Sequence, residues 1–249
     1  MAESPSFAAS FDDPRITAQF CRRVTGSAGD CLLLGVVHDH PASVARVERV
    51  LESVEPETLA LELPTAALPL YRAYARDGES DAPPRFGGEM SAAIRAAPDA
   101  SVVGIDAPNW SFLHQLVTRL IADRVSTTTA RRVISSLGGA TREALTCRVA
   151  ATLTHATSMT VTCDEPIEYE CDHADPPAEQ AAHERSHVAG VQALLASVRT
   201  DDSALAYRDE TRERCMADRL EELRSTTDGD VVAVVGVDHL ETLAESLSS

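Results

Sequence analysis

The chain has 249 residues, 44% of them hydrophobic, and a formal net charge of −17; all 22 of its Lys-plus-Arg residues are arginine. Such acidity repels nucleic acid and anionic lipid, so neither is an expected partner. The longest apolar run, Val231 to Val235, falls far short of the ~20 residues a spanning helix needs, and Met1 to Asp13 is too acidic for a signal peptide, so no membrane insertion and a cytoplasmic location are expected.

Gln19 to Thr25 and Cys31 to Val37 read as two strands joined by the tight Gly26–Asp30 connection. Pro41 opens a helix, with Val44, Val47, Val50 and Leu51 at helical spacing and Pro56 as its stop. Thr58 to Leu63 is a buried strand, Pro64 to Tyr74 a helix, and the Asp-, Gly- and Pro-rich residues 77–87 a loop. Glu89 to Ala97 is a third helix and Ser101 to Asp106 a further strand, so the alternation describes a parallel sheet covered by helices. Trp110 to Asp123 and Thr129 to Thr154 read as helical, and residues 155–178 as a hairpin or loop. Helices follow at Glu179–Val198 and Ala204–Leu223, then a strand at Asp230–Gly236 and a closing helix at His239–Leu247. The fold class is therefore α/β: a central, largely parallel or mixed sheet with flanking helices and a helical insertion in the second half.

Two segments share one pattern. Cys31 to His38 and Val231 to His239 are each an apolar strand, a glycine (Gly35, Gly236), two residues and a histidine. Ligands of parallel α/β sheets bind beyond the carboxyl ends of strands, where glycine permits close approach. The strand Thr58–Leu63 adds Glu62, a carboxylate in an apolar stretch, which calls for a metal, an arginine or a proton to compensate it. His38, His239 and Glu62 are thus the candidate site.

Several short motifs, in order, resemble the TraB/PrgY family: Gly35-Val36-Val37-His38, Leu61-Glu62-Leu63, Tyr71-Arg72, Gly88-Glu89-Met90, Val103-Gly104-Ile105-Asp106, Arg212-Glu213-Arg214-Cys215-Met216-Ala217 and Val234 to His239. The resemblance covers roughly residues 19–110 and 205–240. Ala107 stands where the family usually has an arginine, Glu213 replaces an aspartate, and residues 125–200 match poorly. It implies one TraB-like domain over 1–249 with a mainly helical insertion at about 111–200, and kinship with Tiki-type metalloproteases and erythromycin-esterase-like proteins. By position, His38 and His239 would be metal ligands or acid/base groups, Glu62 a ligand or general base, and Glu89 and Arg212 supporting residues. The implied cofactor is a divalent transition metal (Zn, Mn or Co) and the implied activity hydrolysis of a peptide or small amide or ester. A non-enzymatic protein that sequesters a peptide signal in the same cleft is the alternative.

A rival lies in the same chain. His183-Glu184-Arg185-Ser186-His187 spells the zinc-protease His-Glu-x-x-His, with Glu210 or Glu213 to supply a third ligand. Arg185 and the acidic surroundings read instead as a solvated helix, and Ala193 occupies the metzincin third-ligand position. His40 reads as a solvent-facing loop residue. The six cysteines include no Cys-x-x-Cys, and Cys163, Cys171 and His173 form an incomplete metal set. Abundant carboxylates without lysine fit adaptation to concentrated salt, or a GC-rich genome.

Overall fold

Runs of β-branched and aliphatic residues build the sheet. In the computed structural model, which describes residues 7–26, 29–77, 82–106, 166–197 and 203–248, the strands are β1 (Cys21–Val24), β2 (Cys31–Val36), β3 (Thr58–Pro64), β4 (Ser101–Asp106) and β5 (Val231–Gly236). The helices are α1 (Pro41–Val54), α2 (Leu68–Arg76), α3 (Gly88–Ala96), α4 (Pro177–Ser197), α5 (Ser203–Thr226) and α6 (Val237–Leu247). The five strands form one mixed sheet in the order β1-β2-β5-β3-β4. β1 is antiparallel to β2, and the other neighbours are parallel.

Both faces of the sheet are covered, so its central strands are apolar on both sides rather than alternating with polar residues. Leu32, Leu34 and Val36 of β2, Leu59 and Leu61 of β3, and Val232 and Val234 of β5 pack with Val47, Val50 and Leu51 of α1 and Met90 of α3. The residues between them, Cys31, Leu33, Ala60, Ala233 and Val235, pack with Met216 and Leu220 of α5 and Leu240 and Leu243 of α6. Each fully buried leucine contributes about 1.5–3 kcal/mol. Glu62 follows Ala60 by two residues, so β3's period of two aims it at the face that α5 covers.

The four apolar strands expected in one sheet are there, with the first and last paired directly from Cys31↔Val231 to Val36↔Gly236. The predicted helices of the described segments also form, most with ends displaced by one to three residues. The helix expected from Pro64 begins only at Leu68, because β3 runs on through Pro64. Residues 166–176 carry no strand, so no hairpin lies in the described part of 155–178. The readings for 110–123 and 129–154, and most of the insertion at 111–200, lie outside the described residues, as do Ala107 and Cys163. No described helix is long and apolar enough to cross a membrane.

Candidate functional site

The two strand ends turn differently. After β2 the chain passes through Val37, His38 and Asp39, the last at φ 58°, before His40 caps α1. A non-glycine residue in that left-handed region needs support from its surroundings. Glu89, in the first turn of α3, supplies it: Oε1 lies 2.7 Å from His38 Nδ1, and Oε2 accepts the Asp39 N–H at 2.9 Å. α3 comes this close because Gly88 has φ 43°, and a Cβ there would stand 2.2 Å from Asp39 Oδ1.

Glu89 is 2% exposed, whereas the His38 side chain is 61% exposed. The hydrogen bond that His38 donates to Glu89, then the charge of Glu89, pushes the His38 imidazole up to about 9 against a desolvation that works the other way. Solvent screens part of that pull on so open a ring. With Nδ1 on Glu89, Nε2 is the nitrogen that can meet a ligand. Tyr169 closes the other side of the turn by donating its hydroxyl to the His38 carbonyl at 2.7 Å.

β5 instead runs straight into α6, and His239 lies in that helix's first turn with its side chain 16% exposed. Two consecutive residues of α5 hold its ring. Glu213 Oε1 is 2.8 Å from Nδ1, and Arg212 Nη1 is 3.1 Å from Nε2. A guanidinium can only donate, so Nε2 accepts and the proton sits on Nδ1, toward Glu213.

Arg212 is itself held on a fork by Asp106, at 2.5 and 2.8 Å, and by Glu62 Oε1 at 2.6 Å. Burial opposes its charge, but the Asp106 and Glu62 carboxylates outweigh that and hold its pKa above the ordinary arginine value. Glu62 Oε2 accepts the Gly236 N–H at 2.6 Å, which ties β3 to the start of α6. The Glu62 charge also reaches His38, so the two strand ends belong to one electrostatic cluster.

The five residues singled out in the sequence therefore fall into two bonded groups at the carboxyl edge of the sheet, His38 with Glu89, and Glu62 and His239 with Arg212. Their roles shift. Glu62, expected as ligand or base, has both oxygens engaged and only 5% of its side chain exposed, so it serves as an anchor. A metal between His38 and His239 fits in one respect: each Nδ1 rests on a carboxylate, as in metal-binding histidines. It fails in another. Arg212 donates to the very atoms, Glu62 Oε1 and His239 Nε2, that a metal would take. Among the described residues, moreover, no group of three or more His, Cys, Asp or Glu is arranged to hold a metal ion.

Sequence reasoning missed Asp106 and the pairing of Glu213 with His239. Both had a signal, since Asp106 ends a buried strand as Glu62 nearly does, and Glu213 adjoins Arg212. The zincin reading is not supported. Glu184, its general base, is fully buried in an ion pair with Arg46, and Glu213 is taken by His239. The solvated-helix reading is corrected too, because the face of α4 that carries Glu184 is buried. His40 is likewise not solvent-facing: it is 0% exposed and its Nδ1 accepts the Ala42 N–H as the cap of α1. The described cysteines, Cys21, Cys31, Cys171 and Cys215, are buried.

No family model, no curated protein and no solved structure matches this chain.

Proposed function

We propose that the chain is a TraB/PrgY-like hydrolase that acts on the carbonyl of a peptide or of a small amide or ester. The observation that carries this reading is the shared orientation of the two strand-end imidazoles: each has Nδ1 on a buried or half-buried carboxylate, which turns Nε2 outward, open on His38 and accepting from Arg212 on His239. That is the orientation general acid–base histidines use.

At neutral pH His38 is an imidazolium beside Glu89, suited to polarise a carbonyl or protonate a leaving group. Arg212 uses four of its five N–H groups on Asp106, Glu62 and His239; the remaining one, on Nη1, is available to a developing oxyanion. His239 Nε2 takes the proton of the attacking water once the substrate's charge draws Arg212 off that nitrogen, with Glu213 steadying the imidazolium that results. No step requires a metal.

The test is hydrolysis of a panel of peptides, anilides and esters by protein purified in molar salt, with metal content measured alongside. His38→Gln and His239→Gln should each lower the rate about 10²-fold or more, without loss of fold. A panel wholly untouched by the wild type would refute the enzyme reading and favour a binding protein. About one equivalent of Zn, Mn or Co, lost in both variants, would replace the metal-free chemistry with a metal centre.

A further inference from the structure

The named residues of the His183-Glu184-x-x-His187 run all face the segment that carries His38, directly or through one intermediate. α4 packs on α1. His40 Nδ1 accepts from Ala42, so its Nε2 carries the proton and donates to His183 Nδ1 at 2.9 Å. Glu184 accepts the Ser43 hydroxyl at 2.5 Å and pairs with Arg46. Ser43 Oγ accepts the Val37 N–H at 2.8 Å, and Arg46 donates to the Gly35 carbonyl at 2.8 Å. His187 packs edge-on against Tyr169 at 5.4 Å, and Tyr169 bonds the His38 carbonyl.

One helix thus reaches, each time through a single intermediate, the Gly35 carbonyl, the Val37 amide and the His38 carbonyl, and touches the His40 ring directly. These groups lie on both sides of His38. A buried ion pair such as Arg46–Glu184 adds little net stability over apolar packing of the same shape. Its directional bonds, by contrast, specify where two backbone groups of the turn must sit.

We propose that Glu184 and His183 are positioning residues, which fix the 35–40 turn so that His38 Nδ1 meets Glu89. This rests on the reading of His38 as a working proton donor, but its test reads the geometry of His38 rather than turnover. Ser43→Ala removes the hydroxyl between Glu184 and Val37 while leaving the Arg46–Glu184 pair in place. In ¹⁵N-histidine-labelled full-length protein, the low-field Nδ1–H signal of His38 should weaken or move upfield, and amide exchange at Val37 should quicken about tenfold. The His239 ring and the Gly236 amide should not change. Ser43→Thr, which keeps the hydroxyl, should restore both signals.

Glu184→Gln, which keeps shape and removes charge, should shift the His38 signal in the same direction and serves if Ser43→Ala does not fold. Faster exchange at Val37 with an unmoved His38 signal in either variant would overturn the proposal and leave α4 a merely structural helix. If the wild type hydrolyses nothing while these signals respond as described, the clamp stands and the enzyme reading falls.

Discussion

One four-residue pattern, Gly-x-x-His, ends two neighbouring parallel strands, and the two histidines sit in opposite surroundings. At the β2 end the histidine is open: His38 has one carboxylate partner and 61% of its side chain in solvent. At the β5 end His239 is gripped on both ring nitrogens by consecutive residues of α5 and is 16% exposed. The glycines differ as well. A Cβ on Gly35 would stand 2.8 Å from Leu240 Cδ2, whereas on Gly236 it would meet nothing closer than Glu62 Oε2 at 3.5 Å. Gly35 thus makes room for α6, not for a ligand, and a shared motif identifies the edge of the sheet rather than a shared role.

The largest effect should come from the gripped end. Arg212→Ala leaves the Glu62 and Asp106 carboxylates buried without their cation, at a cost of about 3–5 kcal/mol. His38→Ala takes one partner from the buried Glu89, which keeps the Asp39 N–H, and should cost less, about 1–3 kcal/mol. Denaturant unfolding of both variants checks this, and equal losses would erase the distinction between the ends.

The glycines come next. Gly35→Ala should destabilise by about 1–3 kcal/mol through overpacking against Leu240. Gly236→Ala, meeting only ordinary contacts, should cost less than about 1 kcal/mol. The reverse order would show that the close approach at Gly236 is the tighter of the two.

The smallest effect is in pH, and here two histidines two residues apart should act with opposite sign. The His38 pKa is raised to about 9 by Glu89, so its contribution is full below the ordinary value near 6.5 and is lost as pH rises through about 9. The His40 pKa is pushed down to about 4 by burial, then by the charges of His183, His187, Arg46 and His173, so its contribution is full above about 6.5 and is lost as pH falls through about 4. Thermal melts across pH 3–10 should show His38→Gln flattening the alkaline limb. His40→Asn, which retains a side-chain cap, should flatten the acid limb.

Most of the sheet was legible because its strands are continuous apolar runs, and the five candidate residues stood out because each breaks or ends such a run or belongs to a short motif. What pairs with what was not. Arg212 meets Asp106 across 106 positions of sequence, and Arg46 meets Glu184 across 138. Local pattern carries no record of such partners. The misreading of α4 has the same root: Arg185 and Ser186 are exposed, and that side of the helix reads as solvated, while Glu184 beside them is buried against a cation from α1. His40 read as a loop residue because nothing in His38-Asp39-His40 announces that its ring would cap α1 and donate to His183.

The measurement that bears most directly on the account is the proton state of the two strand-end rings, read from ¹⁵N shifts of labelled histidine across pH 5–10. His38 should carry protons on both nitrogens at pH 7 and lose one only near 9, and the neutral ring of His239 should hold its proton on Nδ1, toward Glu213. A His38 that titrates near the ordinary 6.5, together with a neutral His239 that holds its proton on Nε2, would contradict both the carboxylate pairing and the division of labour built on it.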